Sequence, residues 1–289
     1  MIKKPVLVIL GALCGLNILA WLAVWDLSQD NLTVNFFDVG QGDSIFIETP
    51  DRQQILIDGG PTSIILERLG QDMPFWDRTI DWLILTHPEH DHLAGLLEVL
   101  KNYQVENILW TGVVRDTAEF REWQKLIQEE GAEIFIAKAG QRIVWDAIPD
   151  SEGSHPRQFD ILYPFESVAG EEMENSNNTS IVLRLVFGET SFLFTGDSTQ
   201  AVEKKILQDT VDSDVLKVAH HGSKSSSAEE FIAKVSPKIA VISAGKDNSY
   251  GHPSEQTLAI LEKYGINIFR TDLQGDIKII SNGYGLSTF

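Results

Sequence analysis

Leu85-Thr86-His87-Pro88-Glu89-His90-Asp91-His92 places three imidazoles and two carboxylates within six residues. Carboxylates held side by side repel, and one loop keeps them together at least cost when a multivalent cation neutralises them. A metal site is therefore the first expectation. Before the cluster, the apolar run 80–85 reads as a short interior strand; after it, Leu93, Leu96, Leu97 and Leu100 recur at helical spacing. The cluster thus belongs to a strand-to-helix loop, where α/β folds often carry their chemistry.

Working outward, strands are expected at 34–37, 44–48 and 54–57. The turn Asp38-Val39-Gly40-Gln41-Gly42-Asp43 joins the first two, and the third ends in Asp58-Gly59-Gly60. Strands 105–110 and 133–137 flank an amphipathic helix over 117–130 that Gly131 ends. The polar stretches 146–158 and 166–178 read as exposed loops. A hairpin of 180–187 and 191–195 leads to Gly196-Asp197, followed by a helix over 199–207 and a strand over 214–219 that delivers His220-His221-Gly222. A helix over 228–235, a strand over 239–243, a loop reaching His252, a helix over 254–264 and short strands to 280 complete an α/β chain. Five strand ends carry a group suited to metal or phosphate: Asp58, the His87 cluster, Asp197, His221 and His252. One acidic residue at a strand end commonly caps a helix. Five that converge point to a site.

The 289-residue chain is 43% hydrophobic, enough to bury a full core. Its formal charge of -19 repels phosphate backbones, which excludes tight, nonspecific nucleic-acid binding by the surface as a whole. Any nucleic-acid role must be local, resting on metal and a few cations. Residues 5–25 carry no charge, follow Lys3 and Lys4 and precede Asp26. A run of about 20 such residues is long enough to span a bilayer, so 1–26 is expected to be an N-terminal transmembrane anchor. The positive-inside rule then puts Lys3 and Lys4 in the cytoplasm and the remaining domain outside, with Trp21 and Trp25 at the far interface. Secretion after signal cleavage is the alternative. Cys14, inside the run, is the only cysteine, so the outer domain is expected to form no disulfide of its own.

In order along the chain, FFDVGQGDS, LIDGG, His-x-x-x-Asp-His, LFTGDS, VLKVAHHGS and YGHPS resemble the metallo-β-lactamase fold. They are most similar to the extracytoplasmic hydrolase domain of ComEC competence proteins, over residues 32–281. The resemblance implies an αββα sandwich of two mixed sheets flanked by helices. It does not extend to the multi-span DNA channel of ComEC, because one expected span is too few.

The resemblance also implies ligands. His87 and Glu89 would bind one metal, Asp91, His92 and His221 the other, and Asp197 would bridge them. Two cations about 3.5–4 Å apart need an anion between them. Glu89 departs from the pattern, standing where lactamase-like members carry His and ComEC-like members Asp. Asn177, Asn178 and Thr179 occupy the place where many members supply a further His. His90 holds the variable position and is expected to point outward. The donor set suits two divalent ions, Zn²⁺ or Mn²⁺, either of which lowers the pKa of water, to about 7 for catalytic zinc.

Asp91, His220 and His252 are the candidate catalytic residues, the two imidazoles donating to a phosphate oxygen or protonating the leaving group; structural histidines are the alternative. Asp58 is expected to orient a ligand imidazole or to cap its own turn. Gln41, Asp43, Asn178, Ser223, Lys224 and Asn248 are expected around the metals or the substrate. The implied function is a membrane-anchored, competence-related nuclease acting on single-stranded DNA. One alternative is hydrolysis of another phosphodiester or ester of the envelope, as in similar choline-phosphate esterase domains. A non-catalytic binding module, which would predict damaged ligands, is a third reading. Lysines and arginines lining the site would favour DNA, and Lys217, Lys224, Lys246 and Arg270 are the ones near the motifs.

Overall fold

Side chains two apart along a strand face the same way, and Leu32, Val34 and Phe36 with Ile45 and Ile47 are all buried on one such face. They meet Phe159, Ile161, Leu183, Leu185, Phe192 and Phe194 of a second sheet in one apolar layer. These contacts come from a computed structural model that describes residues 4–27, 31–144, 157–173 and 176–289.

In spatial order the first sheet is Leu286–Thr288, Ile277–Ser281, Leu32–Phe36, Ile45–Glu48, Gln54–Ile57, Thr79–Leu85, Gln104–Trp110 and Glu133–Ile136. The second is Asn267–Arg270, Ile239–Ile242, Val215–Lys217, Thr190–Phe194, Val182–Phe187, Arg157–Tyr163 and Arg142–Val144. Each sheet is part antiparallel and part parallel. In the first, the four strands from Gln54–Ile57 to Glu133–Ile136 run parallel; in the second, the four from Thr190–Phe194 to Asn267–Arg270 do. The carboxyl ends of these parallel strands carry the residues singled out above.

Helix His90–Asn102 buries Leu93, Leu96, Leu97 and Leu100 against Phe46, Leu56, Leu83 and Ile108, as their spacing predicts. On the opposite side, helices Gln200–Ile206, Glu229–Val235 and Glu255–Lys263 bury Val202, Ile206, Phe231, Ile232 and Leu261 against Leu193, Leu216, Ala240 and Ile242. The layers are therefore helix, sheet, sheet, helix, which is the expected fold class.

Several elements differ from expectation. Helix Ile64–Asp72 was not expected; only Ile65 and Leu69 of it are buried, too sparse a stripe to read from spacing. Strand Arg157–Tyr163 turns Phe159 and Ile161 into the layer between the sheets and, past a register shift, Tyr163 toward the helices, but begins inside the stretch read as a polar loop. The rest of the loop expected over 146–158 lies outside the described residues. The end of the other loop is a tight turn, Ser176–Thr179, whose Ser176 and Thr179 are buried.

Lys4–Leu27 forms a helix of 24 residues. Its side chains are described at Lys4 and 10–21, and there Leu10, Leu13, Leu16, Ile18 and Leu19 are exposed. Among the described residues no helix is long and apolar enough to cross a membrane. The expected transmembrane span is thus not among the features the structure establishes.

Two contacts fix the site-bearing turns. The Gly59 N–H donates to His92 O at 2.8 Å and the Gly95 N–H to Gly60 O at 2.8 Å, so helix and turn touch backbone to backbone. A Cβ on Gly95 would stand 1.9 Å from Gly59 O, whereas one on Gly70 would meet nothing within 4 Å. Glu203 of helix Gln200–Ile206 has a buried carboxylate that accepts from the N–H groups of Ser227 at 2.6 Å and Ala228 at 2.8 Å, tying that helix to the start of Glu229–Val235. Burial raises it to about 7, against the pull of those two donors.

Gly95→Ala should lower stability by about 1–3 kcal/mol through overpacking, while Gly70→Ala, in an open helix interior, should be neutral or stabilising; urea denaturation of both variants checks this. An acid whose folded pKa is raised contributes stability that is present below its unfolded value and lost as pH rises through its folded value. The unfolding free energy of the wild type should therefore fall relative to that of Glu203→Gln between about pH 5 and about pH 8. Parallel curves for the two proteins would show that Glu203 does not titrate there.

Candidate metal centre

Four turns and one helix start converge at the carboxyl ends of the parallel strands. Asp58 follows Gln54–Ile57 at a positive φ of 58°. His87 follows Thr79–Leu85, and Asp91 and His92 lie in the first turn of His90–Asn102. Asp197 follows Thr190–Phe194 through Gly196. His220 and His221 both adopt left-handed backbone, at φ 50° and 54°, an arrangement costing about 1–3 kcal/mol per residue that persists where surrounding structure over-determines it.

The partners behind the imidazoles fix which nitrogen carries the proton. Asp58 accepts the Thr86 N–H at 2.8 Å and the Thr86 hydroxyl at 2.7 Å, and its second oxygen also meets His92 Nδ1 at 2.8 Å. With its one proton given to Asp58, Thr86 Oγ1 can only accept from His87 Nδ1, 3.0 Å away. His221 Nδ1 donates to Ser243 O at 2.9 Å and lies 3.3 Å from Asp43 Oδ1. Each ring is thus anchored by Nδ1 and offers Nε2 inward.

Asp197 sits at the convergence. One of its oxygens is 3.4 Å from His92 Nε2; the other is 3.5 Å from His221 Nε2 and 3.7 Å from His220 Nε2. Asp91 Oδ2 lies 3.2 Å from His221 Nε2 and Asp91 Oδ1 4.0 Å from His92 Nε2. One ligand atom from each of Asp91, His92, Asp197 and His221 falls within 4.8 Å of the others. Although burial opposes ionisation of Asp197, His221 and His92 hold it well below the usual carboxylate range. Burial likewise opposes charging His221, yet Asp197 and Asp43 push it up to about 10. His87 is different, since burial drives it down to about 3 and leaves it a neutral imidazole.

These residues fit a metal. His87 Nε2, His92 Nε2 and Asp197 Oδ1 are buried without a hydrogen-bond partner, a condition that costs free energy unless a cation takes their lone pairs. Protonated His92 and His221 stand where positive charge is needed, a role a divalent ion can fill instead. Asp43, Asp58 and His92 form a second, deeper group. There Lys217 Nζ lies 2.6 Å from Asp43 Oδ2 with both side chains buried, so that carboxylate already has its cation.

Other expected residues are placed differently. Glu89 opens onto the cleft, but its carboxylate is held by Arg115 at 2.9 Å and by the Ser176 hydroxyl, and it lies outside the convergent group. His90 points outward to Glu119, as expected. Asn178 turns away to accept from Thr199, and its neighbour Asn177 lines the cleft beside His220. Ser223 pairs with Ser225, and neither it nor Lys224 lines the cleft. Gln41, His220 and His252 do line it; Asn248 holds the loop that carries His252. The cleft measures about 480 Å³.

Sequence reading missed Lys217 as a partner of the centre, naming it only among the cations near the motifs. The signal was a lysine inside the otherwise apolar run 215–219. Thr86, Arg115 and Tyr250 were also missed; Thr86 adjoins His87 and Tyr250 opens the YGHPS segment, whereas Arg115 carried no local hint.

A model of the metallo-beta-lactamase superfamily matches residues 37–246. ComE operon protein 3 of Bacillus subtilis is 33% identical across 94% of this chain and 36% of that protein. Competence protein ComA of Neisseria gonorrhoeae is 30% identical across 86% of this chain and 32% of that protein. The chain therefore spans about a third of the length of these curated relatives. The metallo-beta-lactamase fold protein YhfI from Bacillus subtilis superposes with a TM-score of 0.58 at 15% identity, over 87% of this chain and 100% of that one, a likeness of fold alone. The matched residues include every turn that feeds the convergent group, and the chain belongs to the metallo-beta-lactamase superfamily of metal-dependent hydrolases, with competence proteins among its relatives.

Proposed function

We propose that this chain is a dinuclear metal-dependent phosphodiesterase that cuts single-stranded DNA outside the membrane. The observation that carries this reading is the convergence of Asp91, His92, Asp197 and His221 beside the orphaned His87 Nε2. Asp91, His92 and His221 would hold one ion and His87 the other, with Asp197 between them. Glu89 would join the second ion only on leaving Arg115. When bound, the ions, Zn²⁺ or Mn²⁺, supply Lewis acidity and a more acidic water. Asp58 and Asp43 keep the inward nitrogens of His92 and His221 aimed at that space.

His220 and His252 flank the cleft and handle protons. Burial holds both below the ordinary histidine range, so each is neutral near pH 7 and able to exchange a proton with a phosphate oxygen or a leaving group. His252 Nδ1 is buried without a partner.

The names of the relatives, a ComE operon protein and a competence protein, support the DNA substrate. The membrane location is supported by the uncharged run 5–25 and by the exposed leucines of helix Lys4–Leu27. In this reading 1–26 is a single-pass anchor with its N-terminus in the cytoplasm, and 32–281 is the extracytoplasmic hydrolase domain. A second reading, an envelope phosphodiester or ester as substrate, is favoured by one observation. Among the described residues, no lysine or arginine lines the cleft.

Labelled single-stranded DNA incubated with the full chain in detergent and Mn²⁺ or Zn²⁺ should be degraded. Asp197→Ala should lose metal and reduce cutting more than about 100-fold, and Asp58→Ala, an outer partner, by about 10–100-fold. Metal uptake by a wild type that spares DNA but hydrolyses small envelope diesters would transfer the assignment to the second reading. Chelation should also destabilise the protein, because an ion at about 100 times its dissociation constant contributes about 2.7 kcal/mol. A melting temperature unmoved by EDTA would rule out a resident ion.

A further inference from the structure

Tyr250 is 70% exposed at the mouth of the cleft that also holds Asp91, Asp197 and His220. One face of its ring rests on His252, with centroids 5.9 Å apart and planes 23° from parallel. His252 in turn lies 5.6 Å from His220. The loop that presents Tyr250 is held closely. The Asn248 side chain accepts from the N–H groups of Tyr250 at 3.2 Å and His252 at 3.0 Å, and donates to Gly245 O at 2.9 Å and His252 O at 2.6 Å. The Gly245 N–H donates to Gln41 at 3.0 Å. A large aromatic ring fixed in place, stacked on one side and open to solvent on the other, is a surface prepared for a planar partner.

The charges of the cleft narrow what that partner is. Proteins that bind single strands ordinarily combine cationic side chains for the phosphates with aromatic rings for the bases. Here the cleft walls offer Glu89, Asp91 and Asp197, and among the described residues no lysine or arginine. Attraction to the backbone must come from metal at the centre, so affinity along the rest of the strand falls to stacking. We propose that Tyr250 forms a nucleobase subsite, on which a base flanking the scissile phosphate stacks. This rests on the DNA reading given above and adds to it a place for the base. Every base presents a π-face, so the subsite discriminates little among sequences.

Binding of fluorescein-labelled oligothymidylate to the full chain, followed by anisotropy with Mn²⁺ present, tests this without requiring cleavage. Tyr250→Ala should weaken binding about 5- to 150-fold, the range for losing one base–aromatic stack. Tyr250→Phe should keep the affinity within about twofold, since it retains the ring. A strand of abasic tetrahydrofuran nucleotides should bind wild type and Tyr250→Ala equally, because the two deletions remove one contact. Equal affinity of wild type and Tyr250→Ala for oligothymidylate overturns the subsite, as does an equal loss on the abasic strand or a Phe variant that behaves like Ala. If the strand binds with this pattern but is never cut, the subsite stands and the nuclease reading fails.

Discussion

Mutual repulsion among Asp43, Asp58, Asp91 and Asp197 is the constraint on which the rest of this protein depends. Three of the four are buried, and an ionised carboxylate taken from water without compensation is among the costliest things a fold can contain. Each is answered separately. Lys217 meets Asp43, Thr86 and His92 meet Asp58, and His221 meets Asp91. Asp197 is met by imidazoles on more than one side. The sandwich supplies the rigidity this needs: the strand ends are fixed by ladder hydrogen bonds and the two-sided core, so the turns between them can hold strained backbone at His220 and His221.

The separate answers also divide the labour within the centre. Lys217 occupies one oxygen of Asp43 in a closed space, and the other oxygen acts on His221 from behind. The His92 and His221 rings face carboxylates that a proton or a metal can satisfy. For His87, burial outweighs the carboxylates around it and the ring stays neutral. A site built this way can lose and regain a cation while the fold around it remains charge-balanced.

Much of the fold was legible because its signals were local. The strand before His87, the leucine stripe after His92, and the Asp and His residues at strand ends could all be read within windows of about ten residues. Asp58 was expected to orient an imidazole or to cap its own turn, and it lies against His92 Nδ1 and Thr86. Contacts between distant segments were not legible. The family resemblance implied Glu89 as a ligand, yet Arg115, 26 residues away, and Ser176, 87 residues away, claim its carboxylate. Asn178 and Asn177 were equivalent in sequence; only the tight turn Ser176–Thr179 decides which of them faces the cleft. Strand Arg157–Tyr163 was hidden because its inward residues begin at the edge of a polar stretch.

The direction of strand Leu32–Phe36 sets the orientation of the whole molecule. It enters its sheet at Leu32, paired with Ser281, and leaves at Phe36, paired with Ile45, directly into the turn that ends at Asp43. The cleft therefore opens at the pole of the sandwich opposite Leu32, five strand residues or about 17 Å farther along. A polymer approaching from the Leu32 pole must pass along the flank of the sandwich to reach the residues that line the cleft.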